Sequence, residues 1–133
     1  MISPCYCSLL RTATRKIGAV YDDALTPLGI NIAQYSLLKI IQRRQPVSFT
    51  ELGRIAELDR STVGRNVRVL ERMGLLETGR GEEDQREAVV TLADRGVHLL
   101  DKAGPLWGEC QRKIANRLGP ERARALRDIL GSI

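Results

Sequence analysis

Three cysteines and one histidine are the side chains of this 133-residue sequence best suited to hold a metal ion or to act as nucleophile and base. Cys5, Cys7, His98 and Cys110 are spread over more than 100 positions. Structural zinc sites pair their cysteines at wider spacing than the single residue between Cys5 and Cys7. The sequence also lacks GxSxG, P-loop and GxGxxG motifs. We therefore expect no metal site, no cofactor and no enzymatic activity.

A second group of polar side chains has the types and the spacing that nucleic-acid binding requires. Residues 60–73 place apolar Val63, Val67 and Leu70 on one helical face. Their outward positions are Ser61, Thr62, Arg65, Asn66, Arg68 and Arg72. Short hydroxyls at a helix N-terminus suit phosphate contacts, while arginine reads guanine and asparagine reads adenine in a major groove. The pattern predicts a DNA-recognition helix, with Arg65 and Asn66 reading bases, against the alternative of an ordinary solvated face.

The distribution of charge favours the same interpretation. The chain carries 21 Lys+Arg against 16 Asp+Glu, a net charge of +5, which by itself indicates a polyanionic partner only weakly. Residues 59–73 hold four arginines and two acids, whereas residues 74–92 hold two arginines and five acids. A hydrophobic fraction of 43% fits one folded domain. We expect a cytoplasmic protein, because the sequence shows neither a signal peptide nor an apolar run of about 18 residues.

The elements that would position these side chains are mostly helices. Apolar residues at three- and four-residue steps predict a helix over 8–28, ended by Thr26-Pro27 and Gly29. Asn31 caps a second helix, which Gln45-Pro46 closes. The capping box Ser48-Phe49-Thr50-Glu51, with Val47 and Leu52 as a hydrophobic staple, starts a short third helix. Asp59 caps the fourth helix over 60–73, and Gly74 ends it.

The second half of the chain predicts a hairpin and two more helices. Strands over 75–78 and 87–92 flank a polar loop over 79–86. A long helix over 93–118 contains Pro105, where we expect a kink. A last helix covers 121–130 after Gly119-Pro120. The order α-α-α-α-β-β-α-α predicts a mainly α fold with a small β-hairpin wing, a winged helix-turn-helix.

Three segments carry a resemblance to the MarR-type winged-helix transcriptional regulators, and it extends over nearly the whole chain. They are Phe49-Thr50-Glu51-Leu52-Gly53-Arg54-Ile55-Ala56, Leu58-Asp59-Arg60-Ser61-Thr62-Val63-Gly64-Arg65-Asn66-Val67, and Leu70-Glu71-Arg72-Met73-Gly74-Leu75-Leu76. The wing adds Asp84-Gln85-Arg86, followed by Val90-Thr91-Leu92-Ala93-Asp94-Arg95-Gly96.

The resemblance implies an intertwined homodimer, with residues 1–30 and 93–133 as the dimerisation region and 31–92 as the DNA-binding lobe. The wing arginine, Arg86, would reach the minor groove, and Asp84 would brace it by a charge-assisted bond; a surface ion pair is the alternative. The candidate DNA contacts are Ser48, Thr50, Arg60, Ser61, Thr62, Arg65, Asn66, Arg68, Arg72, Arg80, Asp84 and Arg86.

Two-fold symmetry predicts a palindromic operator with half-sites roughly 34 Å apart and strongly salt-dependent binding. Repression is the usual mode of the family. A winged-helix protein-interaction module without DNA binding is the alternative from another functional class, because it would share the fold.

Two kinds of sensor remain open. The sequence resembles the organic-hydroperoxide-sensing branch of the family, in which tyrosines of the partner subunit hold the reactive cysteine. The resemblance implies that Cys7 is the oxidised thiol and that Tyr21 and Tyr35 are its tyrosine partners. Arg11 stands where that branch also has a tyrosine, and Cys5 or Cys110 could serve as a resolving thiol. Cysteines that are simply buried core residues are the structural alternative.

The second sensor would bind a small aromatic carboxylate. Arg11 and Arg15 lie one helical turn apart and could hold the carboxylate, with Tyr35 and Trp107 as aromatic walls. Ion pairs of the two arginines with Asp22 or Asp23 are the structural alternative. The sequence does not identify the effector or the target genes.

Overall fold

The computed structural model describes residues 4–133 and contains six α-helices, one 3-10 turn and three short strands in those residues. The elements in chain order are α1 (Tyr6–Leu25), the 3-10 turn (Thr26–Leu28), α2 (Ile32–Arg44), β1 (Val47–Ser48), α3 (Phe49–Ala56), α4 (Arg60–Arg72), β2 (Leu76–Arg80), β3 (Ala88–Leu92), α5 (Asp94–Leu118) and α6 (Pro120–Ser132). The predicted mainly α winged helix-turn-helix is confirmed.

Side-chain caps explain where the two helices before the recognition helix begin. Asn31 and Gln34 form a reciprocal capping box at the start of α2, where the sequence predicted only the Asn31 cap. At α3, the Ser48 hydroxyl accepts a hydrogen bond from the Glu51 amide at 3.0 Å, as predicted. The Glu51 carboxylate pairs with Arg54 instead of reaching back to Ser48, so the predicted box is only half formed.

The turn between α3 and α4 depends on close backbone packing. A Cβ on Gly53 would lie 2.9 Å from the Leu58 carbonyl oxygen, so a side chain at this position would displace the turn. Glu57 adopts φ +56°, a left-handed conformation that ends α3. Asp59 then caps α4, and its Oδ1 accepts a hydrogen bond from the Thr62 amide at 2.8 Å. These contacts fix the direction in which α4 leaves the lobe.

The helix α4 ends before Gly74, as predicted. Gly74 has φ +79°, and the amides of Gly74 and Leu75 donate to the Glu71 and Leu70 carbonyls at 2.9 and 3.0 Å. This is the Schellman arrangement, which satisfies the last carbonyls of a helix. The chain leaves it directly into β2.

The wing is a three-stranded antiparallel sheet in the order β1-β3-β2. Leu76 pairs with Leu92 and Thr78 with Val90, which confirms the hairpin with its strand bounds moved by one or two residues. The sequence did not predict β1, because two residues are too few for a periodic pattern. Val47 pairs with Val90, so the sheet joins the hairpin to the start of α3.

The core lies in the lobe built from α2, α3, α4 and the sheet, and Leu25 at the end of α1 completes it. Its fully buried side chains are Leu25, Leu38, Ile41, Leu52, Val63, Val67, Leu70, Leu76 and Val90. The helix α5 leaves this lobe and continues through Pro105 to Leu118 without interruption; the kink there stays a prediction. No helix in residues 4–133 is long and apolar enough to cross a membrane.

Candidate nucleic-acid interface

The recognition helix and the wing enclose a cleft of about 770 Å³ on the surface of the lobe. Its walls are α4 on one side and β2 with the start of β3 on the other. The residues that line it are Phe49, Arg60, Ser61, Gly64, Val67, Arg68, Glu71, Thr78, Gly79, Arg80 and Ala88. The structure thus brings four of the predicted DNA contacts, Arg60, Ser61, Arg68 and Arg80, to one concave surface.

The N-terminus of α4 is held by one carboxylate. Asp59 accepts hydrogen bonds from the Thr62 amide and, at 2.7 Å, from the Ser61 hydroxyl. These bonds, the Thr62 amide foremost, lower the pKa of Asp59 from 3.8 to about 2. The hydroxyls of Ser61 and Thr62 are thereby fixed at the end of the helix that would approach phosphates.

The four arginines of α4 are exposed and lie outside the two ion pairs found in residues 4–133, Arg54–Glu51 and Lys113–Glu109. Arg60 donates to Thr50 at a long 3.5 Å, and Arg65 donates to Thr62 at 3.2 Å. These weak local bonds position the guanidinium groups without neutralising them. The face therefore keeps positive charge available for phosphates and base edges.

Asn66 lies on a different side of α4 from the cleft. It is half-buried and lines a small pocket with Asn31 and Gln34 at the start of α2. Asn66 was predicted to face outward beside Arg65, but successive helical residues point about 100° apart. The geometry separates these two predicted base-reading residues.

The wing turn is built by Asp84, although not in the predicted way. The Asp84 carboxylate accepts a hydrogen bond from the Arg86 backbone amide at 3.0 Å, and the Glu87 amide donates to the Asp84 carbonyl at 3.1 Å. The predicted brace to the Arg86 guanidinium is not among the ion pairs of residues 4–133, and the carboxylate holds the backbone of the turn instead. Arg80 donates to the Arg86 carbonyl at 3.4 Å across the hairpin.

The three thiols have different surroundings. Cys5 and Cys7 are exposed at the start of α1, whereas Cys110 is buried. Hydrogen bonds from the Ser8 amide and hydroxyl lower the pKa of the Cys5 thiol, and burial raises that of Cys110. His98 is exposed on α5. Within residues 4–133 no cluster of three His, Cys, Asp or Glu side chains could hold a metal ion.

Tyr21, one of the two predicted sensor tyrosines, is far from Cys7 in the same chain. Tyr21 lies fourteen residues along α1, about 21 Å at the helical rise, and its hydroxyl donates to Gln111 of α5. Burial, followed by the nearby Cys110, raises the pKa of Tyr21. Tyr35 is buried in the lobe. The helix α1 thus keeps Tyr21 away from Cys7 of the same chain, and the contact with tyrosines of a second chain, which the resemblance implies, stays a prediction.

The residues predicted to bind an aromatic carboxylate lie in two separate places. Tyr35 and Trp107 stack with ring centroids 6.1 Å apart, and burial raises the pKa of Tyr35 while nearby Arg43 opposes that rise. Arg11 and Arg15 instead line an open cleft with Cys7, Leu10 and Thr14 near the start of α1. One chain brings the aromatic walls together but leaves the carboxylate-binding arginines elsewhere.

Seven cleft residues were missing from the predicted DNA contacts: Phe49, Gly64, Val67, Glu71, Thr78, Gly79 and Ala88. The Thr78 hydroxyl donates to the Glu71 carboxylate at 2.7 Å, which ties the wing to the end of α4. Gly64 and Glu71 share the helical face of Arg60 and Arg68, so their i, i+4 and i+3 spacing could have indicated them. Phe49 and Thr78 gave no comparable signal in the sequence.

Comparison with known proteins places this geometry in one family. The model of the MarR family matches residues 28–87. The organic hydroperoxide resistance transcriptional regulator of Bacillus subtilis is 29% identical over 102 residues, covering 77% of this chain and 69% of that protein.

Two crystal structures of the M. tuberculosis transcriptional regulator MosR extend the similarity to the whole chain. One is 30% identical, covers 99% of this chain and 96% of its own, and superposes with a TM-score of 0.81. The other, in complex with DNA, is 32% identical over 95% of this chain and 93% of its own, with a TM-score of 0.82. These relatives are transcriptional regulators and not enzymes. The chain therefore belongs to the MarR family of winged helix-turn-helix, DNA-binding transcriptional regulators.

Proposed function

We propose that this protein is a cytoplasmic transcriptional repressor that binds a palindromic operator as a homodimer, with α4 in the major groove and the wing against the minor groove. The observation that supports the proposal most directly is the cleft between α4 and the wing, where Arg60, Arg68 and Arg80 meet the hydroxyl of Ser61. Arginine and short hydroxyls at the N-terminal end of an exposed helix are suited to phosphate and guanine recognition. Arg86 is the wing residue proposed for the minor groove.

The dimer is proposed from an apolar face that a single chain leaves uncovered. A cleft between α1 and α6 is lined mainly by Leu10, Ala13, Ile17, Leu118, Ala125, Leu126 and Ile129. Leu10, Leu126 and Ile129 are 48%, 41% and 45% exposed. Exposed apolar patches of this kind are usually interaction surfaces. Residues 1–30 and 93–133 are therefore proposed as the dimerisation region, and residues 31–92 as the DNA-binding lobe.

Fluorescence anisotropy with a labelled duplex from the gene's own upstream region tests DNA binding. We expect tight, sequence-specific binding that weakens steeply with salt. Arg65→Ala and Arg72→Ala should weaken binding, while Arg124→Ala on α6 serves as a charge-matched control. No affinity above that for an unrelated duplex at low salt would contradict the repressor and would favour the protein-interaction module.

We further propose that oxidation of a thiol at the start of α1 releases the operator. Two exposed cysteines, Cys5 and Cys7, occur there, and the Ser8 hydrogen bonds favour the Cys5 thiolate. The thiolate attacks the terminal oxygen of an organic hydroperoxide and the O–O bond breaks, so that a sulfenic acid and an alkoxide form, and the alkoxide takes a proton from water to leave as an alcohol. The similarity to an organic hydroperoxide resistance regulator supports this kind of effector. Tyr21 and Tyr35 of a second chain are the proposed partners of Cys7.

Operator release by cumene hydroperoxide tests the thiol proposal on the parent, Cys5→Ser, Cys7→Ser and Cys110→Ser. We expect release of the parent and of Cys110→Ser, since that thiol is buried. Loss of release in Cys7→Ser assigns the reaction to Cys7, and loss in Cys5→Ser assigns it to Cys5. Equal release by all four proteins would contradict thiol sensing.

The stacked pair Tyr35–Trp107 supports a second candidate effector, a small aromatic carboxylate. Arg11 and Arg15 would have to come from a second chain to reach that pair. Titration with salicylate and related acids, followed by operator release and Trp107 fluorescence, tests this candidate. Release that persists in the double variant Arg11→Ala/Arg15→Ala would remove the two arginines from the site.

A further inference from the structure

Gly64 leaves a gap in the surface of α4 that faces the cleft, and the side chain of Arg68 lies over this gap. Gly64 is buried in the middle of α4, although it faces the cleft. A Cβ at this position would lie 3.1 Å from Arg68 Nη2 and 3.9 Å from Arg68 Cζ, with no other heavy atom within 4 Å apart from its two chain neighbours and its own helical backbone. The group that covers Gly64 is therefore the guanidinium of the residue one turn later.

We infer that Gly64 positions Arg68 as the guanine-reading residue of this helix, so that the Gly64–Arg68 pair determines specificity on the wing side of each half-site. The inference rests on the DNA-binding function proposed above. Glycine costs stability in the middle of a helix, so its presence here indicates a requirement for space. With no side chain at position 64, the Arg68 guanidinium can lie beside Gly64 within the cleft.

The surroundings of Arg65 support the same assignment. Arg65 donates to Thr62 of its own helix and is not among the residues that line the cleft between α4 and the wing. Arg68 lines that cleft together with Ser61, Glu71 and Thr78. The Glu71 carboxylate is held by the Thr78 hydroxyl, so it does not pair with Arg68. Arg68 thus keeps its donors for a base edge, and Arg65 is left to the phosphates.

A methyl group at position 64 would meet only the end of a flexible side chain. The backbone and the core need not move, and Gly64→Ala should therefore keep or raise the melting temperature through helix propensity. The Arg68 guanidinium must shift by a few tenths of an ångström or more. Bidentate recognition of guanine depends on the orientation of the planar group, so its loss should appear in base preference.

The test measures binding of the full-length protein to its operator and to variants with each base pair of one half-site exchanged. For the parent we expect at least one G·C pair whose exchange weakens binding about tenfold or more. Gly64→Ala and Arg68→Lys should reduce that preference to about twofold or less at the same base pair, without loss of fold. Arg65→Ala should weaken binding to all duplexes similarly.

Gly108→Ala on α5 is the matched control, because Gly108 also precedes an arginine by one turn and a Cβ there would lie 3.7 Å from Arg112 Nη1. This variant should keep the parent's preference. A Gly64→Ala protein that folds and retains the full preference would overturn the inference, as would loss of that preference in Arg65→Ala but not in Arg68→Lys. Failure of the parent to bind any duplex would refute the proposed function instead.

Discussion

Gly96→Ala should be one of the most damaging single-methyl additions in this chain. A Cβ on Gly96 would lie 2.3 Å from the Leu75 carbonyl oxygen and 3.2 Å from Leu92 Cδ2. The same carbonyl accepts a hydrogen bond from the Ala93 amide at 3.0 Å at the start of α5. Relief of the contact requires a backbone shift of about 1 Å, because nearly all real Cβ contacts are longer than 3 Å.

The cost follows from these two contacts. Overpacking against backbone costs about 1–3 kcal/mol. Loss of the hydrogen bond to Leu75 adds about 0.5–1.5 kcal/mol. We therefore expect Gly96→Ala to lower the free energy of unfolding by about 1.5–4.5 kcal/mol. The position joins α5 to the lobe that carries the recognition helix, so operator binding should fall in parallel with the folded fraction.

Urea unfolding followed by circular dichroism, at one fixed protein concentration, measures the effect. Gly108→Ala is the control on the same helix, because its new methyl group would meet only the flexible end of Arg112. That variant should gain up to about 1 kcal/mol from helix propensity. Equal unfolding midpoints for Gly96→Ala and the parent would refute the reasoning from the close approach to Leu75.

Three further predictions concern the cap, the wing and the proposed dimer. The pKa of Asp59 is lowered, so its stabilising contribution is complete above pH 3.8 and is lost as the pH falls through about 2. Asp59→Asn keeps a capping oxygen but has no charge to lose. The difference in melting temperature between this variant and the parent should therefore vanish as the pH falls from 3.8 to about 2. A constant difference down to pH 2 would contradict this. Arg86→Ala should weaken operator binding about tenfold and reduce its salt dependence, whereas Glu83→Gln should strengthen binding a few-fold at low salt, because it removes a negative charge beside DNA. Unchanged affinities in anisotropy titrations would place the wing away from DNA. Leu126→Asp should convert a dimer to monomers in sedimentation velocity. Each leucine buried in the interface contributes about 1.5–3 kcal/mol to association, and an unpaired buried carboxylate opposes it. A sedimentation profile equal to the parent's would remove α6 from the interface.

The helix starts and the recognition helix could be predicted because their signals are local. Asn31, Ser48 and Asp59 each cap the helix that follows, and Gly74 ends α4 with a positive φ. Each of these contacts spans three to five residues, so spacing alone contains the information. The signal for the hairpin was also local, and the observed strand bounds differ from the predicted ones by only one or two residues.

Other contacts could not be predicted, because they join residues distant in sequence or depend on competition between partners. The strand β1 exists only because Val47 pairs with Val90. The Glu51 and Asp84 carboxylates each had several possible partners in the sequence. In the folded chain, Glu51 accepts from the Arg54 guanidinium and Asp84 accepts from the Arg86 amide. The separation of Arg11 and Arg15 from the Tyr35–Trp107 stack likewise required the path of α1.

The sequence by itself determined the class of this protein: a winged helix-turn-helix of the MarR family with a basic recognition helix. The spacing of apolar residues, the capping residues and the motifs indicate where each helix lies and which side chains its exposed face carries, and these are properties of residues close together in the sequence. Only the tertiary structure decided how that face is used. It turned Asn66 toward α2, brought the wing beside α4, and placed Arg68 over Gly64. The direction of a side chain on a packed helix depends on what surrounds the helix, and that information lies in contacts across the chain.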